Sequence, residues 1–244
     1  SADLRQLERQ AAEHTPRGFR RALQAKGRTG VAVIAELKKA SPSRGLIRPE
    51  FHPRALAQDL QQAGAAALSV LTDEEFFQGS LENLRLASEA TTLSCLRKDF
   101  ILDELQLLEA RANRADAVLL IAAALSQTEL TNLAAKAREL GLDVLCEAHD
   151  EAELLRAVNA GCDLIGINSR DLHTFKVDIE TTLQLAKRIP AGVVKVAESG
   201  IHSGADIARL RAAAYDAFLI GESLMKAQSP GDALRGLLAE AGNL

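Results

Sequence analysis

Eight short apolar runs, each followed by a longer stretch of helical character, limit what this chain can fold into. They fall at residues 31–37, 66–71, 93–97, 117–121, 143–147, 164–167, 193–197 and 217–220. Near-continuous Val, Ile, Leu and Ala in runs too short for a helix mark strands covered on both faces, as in a parallel sheet. One segment recurs. Asp116-Ala117-Val118-Leu119-Leu120-Ile121 returns as Asp163-Leu164-Ile165-Gly166-Ile167 and as Asp216-Ala217-Phe218-Leu219-Ile220, about 50 residues apart. Each copy follows a helix end and a short turn, so each interval spans two strand–helix units. Eight such units predict an α/β fold, a closed (β/α)8 barrel rather than an open sheet.

The ends of the helices are marked chemically. Ser80, Asp103, Ser126, Asp150, Asp178 and Ser203 are expected N-caps. Asp103 with Gln106, Ser126 with Glu129 and Asp150 with Glu153 have capping-box spacing. Pro230 suits a first helical position, and Gly64, Gly141 and Gly161 suit helix ends. No linker or composition shift divides the 244 residues, so one domain over 1–244 is expected. Within it, residues 31–244 form the barrel. Residues 1–30 form an N-terminal extension, a cap with helices near 4–13 and 18–24.

Composition narrows the function. Net charge is −4 and aromatics are 3%, without Trp, which disfavours nucleic acid as a partner. The longest apolar run, Ala117 to Leu125, is too short to span a membrane. Cys95, Cys146 and Cys162 are odd in number and lack paired spacing. They fit a reducing, cytoplasmic setting.

The chemistry lies at the strand ends. In an (β/α)8 barrel the site forms at the C-terminal ends of the strands. Those ends read Glu36 and Lys38, Lys98, Glu147, Asn168 with Arg170, and Glu198. Side chains alternate along a strand. Ile34 therefore shares a face with Glu36 and Lys38, Leu96 with Lys98, Leu145 with Glu147, Gly166 with Asn168 and Val196 with Glu198. The apolar partners are expected to fill the barrel and the polar ones to stand above them. Lysines beside glutamates are acid–base equipment, and the lysines also fit Schiff-base chemistry. The five histidines show no metal-ligand spacing, and no nucleotide loop occurs, so no metal and no cofactor are expected. His149 reads as a surface-loop histidine. The glycine turns Ser199-Gly200 and Gly221-Glu222, after the last two strands, fit a phosphate site, with Ser43 as a further donor.

A longer series of motifs runs through these positions. It comprises Glu36-Leu37-Lys38-Lys39-Ala40-Ser41-Pro42-Ser43, Leu96-Arg97-Lys98-Asp99-Phe100-Ile101, Glu147-Ala148-His149, Ile165-Gly166-Ile167-Asn168-Ser169-Arg170-Asp171-Leu172, Ala197-Glu198-Ser199-Gly200-Ile201 and Ile220-Gly221-Glu222-Ser223-Leu224-Met225. In that order it resembles the indole-3-glycerol phosphate synthase family of tryptophan biosynthesis, over roughly residues 15–240. The resemblance implies a carbon–carbon lyase. It would close 1-(2-carboxyphenylamino)-1-deoxyribulose 5-phosphate to the indole with loss of carbon dioxide and water. It implies catalytic roles for Lys98, Glu147, Glu36, Lys38, Asn168 and Glu198, with Lys98 as general acid and Glu147 as a partner in proton transfer. It implies substrate binding by Arg170, Ser43, Ser199, Gly200, Gly221, Glu222, Phe100 and Leu172. A monomer acting on a small phosphorylated molecule is expected.

Three departures stand out. The family usually carries a further helical segment ahead of the part aligned with Ser1, which implies a looser cap over the anthranilate end. Ser169 stands where the family often has a second asparagine. Cys95 replaces an apolar residue and is expected to point away from the site. Rival readings are a phosphoribosylanthranilate isomerase, whose Cys/Asp pair these strand ends lack, a Schiff-base aldolase, and a non-catalytic sensor of phosphorylated metabolites.

Overall fold

The computed structural model describes residues 2–170 and 178–242. The strands are β1 (Ala32–Leu37), β2 (Ala40–Ser41), β3 (Gly45–Leu46), β4 (Ala67–Leu71), β5 (Cys95–Lys98), β6 (Ala117–Ile121), β7 (Asp143–Ala148), β8 (Leu164–Ile167), β9 (Val194–Ala197) and β10 (Ala217–Ile220). The helices are α1 (Ala2–Ala12), α2 (Phe19–Thr29), α3 (Pro53–Gln62), α4 (Leu81–Glu89), α5 (Glu104–Ala112), α6 (Gln127–Glu139), α7 (Glu151–Asn159), α8 (Ile179–Ala186), α9 (Gly204–Ala212), α10 (Glu222–Lys226) and α11 (Pro230–Gly242). β1 and β4 to β10 close into a parallel barrel in the order β1-β10-β9-β8-β7-β6-β5-β4. The eight apolar runs are these eight strands, shifted at their ends by at most two residues. The sequence reading missed β2 and β3, a two-stranded hairpin in the loop after β1. Two-residue strands carry no periodicity to read.

Two buried layers follow from strand alternation. One lies inside the barrel and includes Ile34, Leu96, Leu119, Leu145, Val196 and Leu219. The other lies between the barrel and its helices and includes Val33, Leu68, Val118, Ile165 and Phe218. Strands buried on both faces have no polar side, which is why the runs read as unbroken apolarity. Cys95 and Cys146 belong to the outer layer and point away from the barrel interior. All three cysteines are buried and free.

All six expected N-cap side chains accept a backbone N–H in the first turn of their helix. The boxes at Asp103/Gln106 and Ser126/Glu129 are complete. That at Asp150/Glu153 is not: Asp150 caps the Glu153 N–H, but the Glu153 carboxylate turns instead to the backbone N–H and ring of His149. A complete box not foreseen joins Ser203 and Asp206.

The N-terminal segment closes the floor of the barrel rather than its mouth. Phe19 and Leu23 of α2 are fully buried against Ala32, Ala67 and other residues that begin strands. Asp116, fully buried at the start of β6, anchors this floor. It accepts the Arg17 guanidinium at 2.6 Å, the Arg17 backbone N–H at 2.6 Å, the Cys95 N–H at 2.7 Å and lies 3.1 Å from the His14 ring. Asp216 treats the Lys195 N–H in the same way at 2.8 Å. In two of the three repeats, then, the aspartate before the strand fastens the neighbouring strand. No described helix is long and apolar enough to cross a membrane.

Burial pushes the Asp116 carboxyl up, but His14 and Arg17 outweigh it and hold it below the usual range. Its contribution to stability is therefore present above the unfolded carboxyl's pKa of about 4 and lost as pH falls through the lower folded value. Removing the carboxylate leaves Arg17 and the Cys95 N–H unpaired. Asp116→Ala is expected to cost ~3–5 kcal/mol in denaturant unfolding. Turnover of the folded protein should be unchanged, because the mouth lies at the other end of the strands.

Candidate active site

The polar residues that end the strands converge on a cavity of about 640 Å³ at the barrel mouth. Glu36, Lys38, Ser43, Lys98, Phe100, Glu147, Asn168, Arg170, Glu198, Ser199, Gly200, Gly221 and Glu222 all line it. Thirteen of the fourteen residues singled out from the sequence are thus brought together. The fourteenth, Leu172, lies outside the described residues, as does His173.

Lys98 stands at the centre. Its Nζ lies 3.2 Å from Glu198 Oε2, 3.6 Å from Glu36 Oε2 and 3.8 Å from Glu147 Oε2. Lys38 Nζ lies 3.2 Å from the other oxygen of Glu36. All three glutamates are buried. Charge in such a place persists only if paired, and the pairing decides each protonation state. Burial works against the Lys98 ammonium, but Glu198, Glu36 and Glu147 outweigh it and raise its pKa above the ordinary lysine value. Burial likewise pushes Glu36 up, yet Lys98 and Lys38 bring it below the usual carboxylate range.

The remaining two carboxyls part company. Burial raises Glu147, but the His149 ring and Lys98 draw it down to about 2. Burial and the neighbouring Glu147 charge lift Glu198 well above the usual range, against the pull of Lys98. Of these two carboxyls, Glu198 is therefore the one that favours its protonated form. Among the described residues, its buried Oε1 has no hydrogen-bond partner.

Gly166 makes room for this pair. A Cβ there would stand 1.8 Å from Glu198 Oε1 and 2.8 Å from its carboxyl carbon. The sequence reading had each inward apolar residue filling the barrel beneath a polar one. On β8 there is no side chain to do so, and the Glu198 side chain occupies the space from β9.

The surroundings fix orientation. Asn168 Nδ2 donates to Glu147 Oε1 at 3.2 Å, and Asn168 Oδ1 accepts from Ser199 Oγ at 2.6 Å and from the Arg170 N–H at 3.1 Å. Beside them, after β9, Gly200 at φ 76° turns the chain in a conformation suited to glycine. Glu222 is held there by Lys226 at 2.6 Å, Arg44 at 3.0 Å and Arg170 at 3.8 Å. Phe76 and Phe100 meet edge to face, centroids 6.4 Å apart, and form an apolar wall.

Three neighbours escaped the sequence reading. Ser69, on β4, donates to Glu36 Oε2 at 3.1 Å. Its signal is a hydroxyl inside an apolar run. Arg44 follows the predicted loop Ser41-Pro42-Ser43, and nothing in its spacing marks it. His149 was read as a surface-loop histidine. Instead it is mostly buried, its Nε2 3.2 Å from Glu147 Oε1. The parity two residues beyond Glu147 was legible, but the turn of α7 that carries Glu153 against the ring was not. Among the described residues, no group of three or more His, Cys, Asp or Glu could hold a metal ion.

Adding a methyl at position 166 should drive the Glu198 carboxyl off Lys98. Gly166→Ala is expected to cost ~1–3 kcal/mol through overpacking. In a Glu198→Ala background that cost should largely vanish, since the two residues compete for one space. Equal costs in both backgrounds, read from denaturant unfolding, would refute the competition.

Comparison with known proteins accords with this geometry. A profile of the indole-3-glycerol phosphate synthase family matches residues 1–237. An indole-3-glycerol phosphate synthase of Koribacter versatilis is 61% identical over 98% of this chain and 92% of its own length. Those of Aromatoleum aromaticum and Acidithiobacillus ferrooxidans are 52% and 54% identical over 91% of this chain and 85% of theirs. Among solved structures, a thiamine phosphate pyrophosphorylase of Pyrococcus furiosus superposes with a TM-score of 0.64 at 16% identity, covering 85% of this chain and 93% of its own. An N-acetylmannosamine-6-phosphate 2-epimerase of Clostridium perfringens does so with 0.62 at 13%, covering 79% and 86%. At such identities these two show the barrel alone. The sequence matches show more: this chain belongs to the indole-3-glycerol phosphate synthase family.

Proposed function

We propose that this chain closes 1-(2-carboxyphenylamino)-1-deoxyribulose 5-phosphate to indole-3-glycerol phosphate by general acid–base catalysis at the barrel mouth, with loss of carbon dioxide and water. The observation that carries this reading is the Lys98 ammonium among Glu36, Glu147 and Glu198, with one carboxyl protonated and two ionised.

The chemistry calls for these groups. The aromatic carbon that bears the carboxylate attacks the ribulose carbonyl carbon, and negative charge grows on the carbonyl oxygen. Lys98 neutralises that charge and gives the oxygen a proton. Carbon dioxide then leaves, and its bonding electrons restore the aromatic ring. The new hydroxyl departs as water with a second proton from Lys98, which solvent has recharged, and the adjacent methylene loses one, which completes the double bond. Glu147, ionised across the neutral range, accepts that proton. Glu36 and Lys38 assist through the charge they share with Lys98. Asn168 and Glu198 orient the reacting groups. No metal or organic cofactor enters the scheme.

The remaining residues bind. Gly200, Gly221, Ser43 and Ser199 take the phosphate with Lys38, and Glu222 holds Arg44 and Arg170 beside them. Arg170 presents a planar fork suited to a carboxylate. Phe100 offers an apolar surface to the aryl ring.

Indole fluorescence on adding the substrate is the direct test, and the variants separate the roles. Lys98→Met should lower turnover by ~10²–10⁴-fold with binding changed far less. Lys98→Arg should not restore it, because a guanidinium is a poor proton donor near neutral pH. If Arg works nearly as well as Lys, Lys98 only pairs charges and the proton comes from elsewhere.

Binding and turnover should also separate. Arg170→Ala is expected mainly to raise KM, and Glu147→Gln mainly to lower kcat. The reverse pattern in steady-state kinetics would overturn both assignments.

A further inference from the structure

Glu147 has a partner that takes no part in the scheme above. His149 follows it by two residues, so both side chains leave β7 and its continuation on the same side. His149 Nε2 lies 3.2 Å from Glu147 Oε1. Its Nδ1 lies 2.9 Å from Glu153 Oε2, in the first turn of α7. The same Glu153 oxygen accepts the His149 backbone N–H at 2.8 Å. The imidazole is 16% exposed and, unlike Glu147, is not among the residues that line the cavity. It stands behind the carboxylate, away from any substrate.

Both ring nitrogens thus face a carboxylate oxygen. A neutral imidazole has one N–H donor, so one of its nitrogens would oppose an oxygen with no proton between them. Nδ1 is hydrogen-bonded to Glu153, whereas Nε2 is not aligned for a hydrogen bond and meets Glu147 through charge alone, a contact that is attractive for the imidazolium. We propose that His149 is a positioning residue: clamped by Glu153 as an imidazolium, it fixes one oxygen of Glu147 and keeps that carboxylate ionised for proton transfer. This rests on the proton-accepting role given to Glu147 above.

The charges around the ring agree. Glu147 faces it from β7 and Glu153 from α7. Beyond Glu147 stand Lys98 at the end of β5, Asn168 after β8 and the protonated Glu198 after β9. The Glu147 contact raises the His149 ring to about 9 against the effect of burial, with Glu153 adding to it. The ring is therefore charged across the neutral range and discharges as pH rises through about 9. Burial alone would lift Glu147, and the His149 contact leads the opposing influences. Without the imidazolium, Glu147 would share protons with Glu198 nearer neutrality, and fewer molecules would hold the ionised acceptor.

The test is a pH profile of kcat and KM for the wild type, His149→Gln and Glu153→Gln, joined to ¹⁵N NMR titration of His149 in the full chain. His149→Gln should lower kcat at neutral pH by about 10–100-fold, the effect of an opposite charge that shifts a carboxyl by about 1–2 pKa units, with KM far less affected. Its acid limb should move up by about 1–3 pH units. Glu153→Gln should change both in the same direction and less. In wild type the His149 ring should titrate well above its ordinary value of about 6.5, and it should drop towards that value in Glu147→Gln. A wild-type ring that titrates normally would overturn the clamp without need of any variant. So would a folded His149→Gln protein with altered melting temperature but unchanged kcat and acid limb. Glu147→Gln with undiminished turnover would instead remove the role of Glu147. The NMR shift between wild type and Glu147→Gln judges the clamp separately.

Discussion

One ammonium among three buried carboxyls governs the arrangement of the mouth. Lys98 meets Glu36, Glu147 and Glu198 within 3.8 Å. A lone lysine or glutamate at this depth would shed its charge, because desolvation favours the neutral form. Together they resolve differently. Two lysines and one imidazolium balance the carboxylates of Glu36, Glu147 and Glu153, and the remaining carboxyl, Glu198, favours its protonated form. The cluster thus retains several ionised groups where water is scarce, which is what polar catalysis in a desolvated site requires.

The barrel makes this possible by geometry. Parallel strands put their C-terminal ends on one rim, and alternation sends every second side chain inward. Below the charged layer the interior is apolar, with Ile34, Leu96, Leu145 and Val196 beneath Glu36, Lys98, Glu147 and Glu198. At β8 the pattern yields to the charge cluster: Gly166 gives up its side chain so that Glu198 can lean across. The floor carries a separate network. Asp116, Arg17 and His14 join strand starts at the end opposite the mouth. Stability and chemistry are built from different ends of the same strands, so a change in one need not disturb the other.

Much of this was legible in the sequence, for identifiable reasons. Strand positions were readable because burial on both faces leaves no polar residue to blur a run. The inward parity of Lys98 and Glu147 followed from counting two residues back to Leu96 and Leu145. Caps were readable because Ser80 and Asp103 act through local hydrogen bonds. What stayed hidden depends on contacts between distant residues or on tertiary choice between equal partners. Glu153 had the spacing to complete a cap with Asp150, but a histidine one residue earlier offers it a charged ring as well as a backbone N–H. A cation competes better for a carboxylate than a neutral amide alone. The N-terminal helices were expected as a cap, and no periodicity says which end of a barrel a helix will close. Phe19 and Leu23 settle it at the floor, where the interior is lined by small residues such as Ala32 and Ala67 and leaves space for large ones.

The division between Glu147 and Glu198 is the step from structure to chemistry. The two carboxyls are chemically alike, both buried and both within 3.8 Å of the Lys98 ammonium. Close carboxylates cannot both ionise without cost, so one must hold the proton. Lys98 lies nearer Glu198, at 3.2 Å against 3.8 Å for Glu147, and so pulls against this split rather than making it. The asymmetry comes from behind: Glu147 Oε1 accepts the Asn168 amide and lies 3.2 Å from the His149 ring in a charge contact, whereas among the described residues Glu198 Oε1 has no hydrogen-bond partner. The proton accordingly rests on Glu198. A site so arranged holds an ionised carboxylate, a protonated carboxyl and an ammonium at the same pH. A ring closure followed by loss of water needs a proton given at each step and one taken from the methylene, and this set holds donor and acceptor side by side without a change of solution conditions.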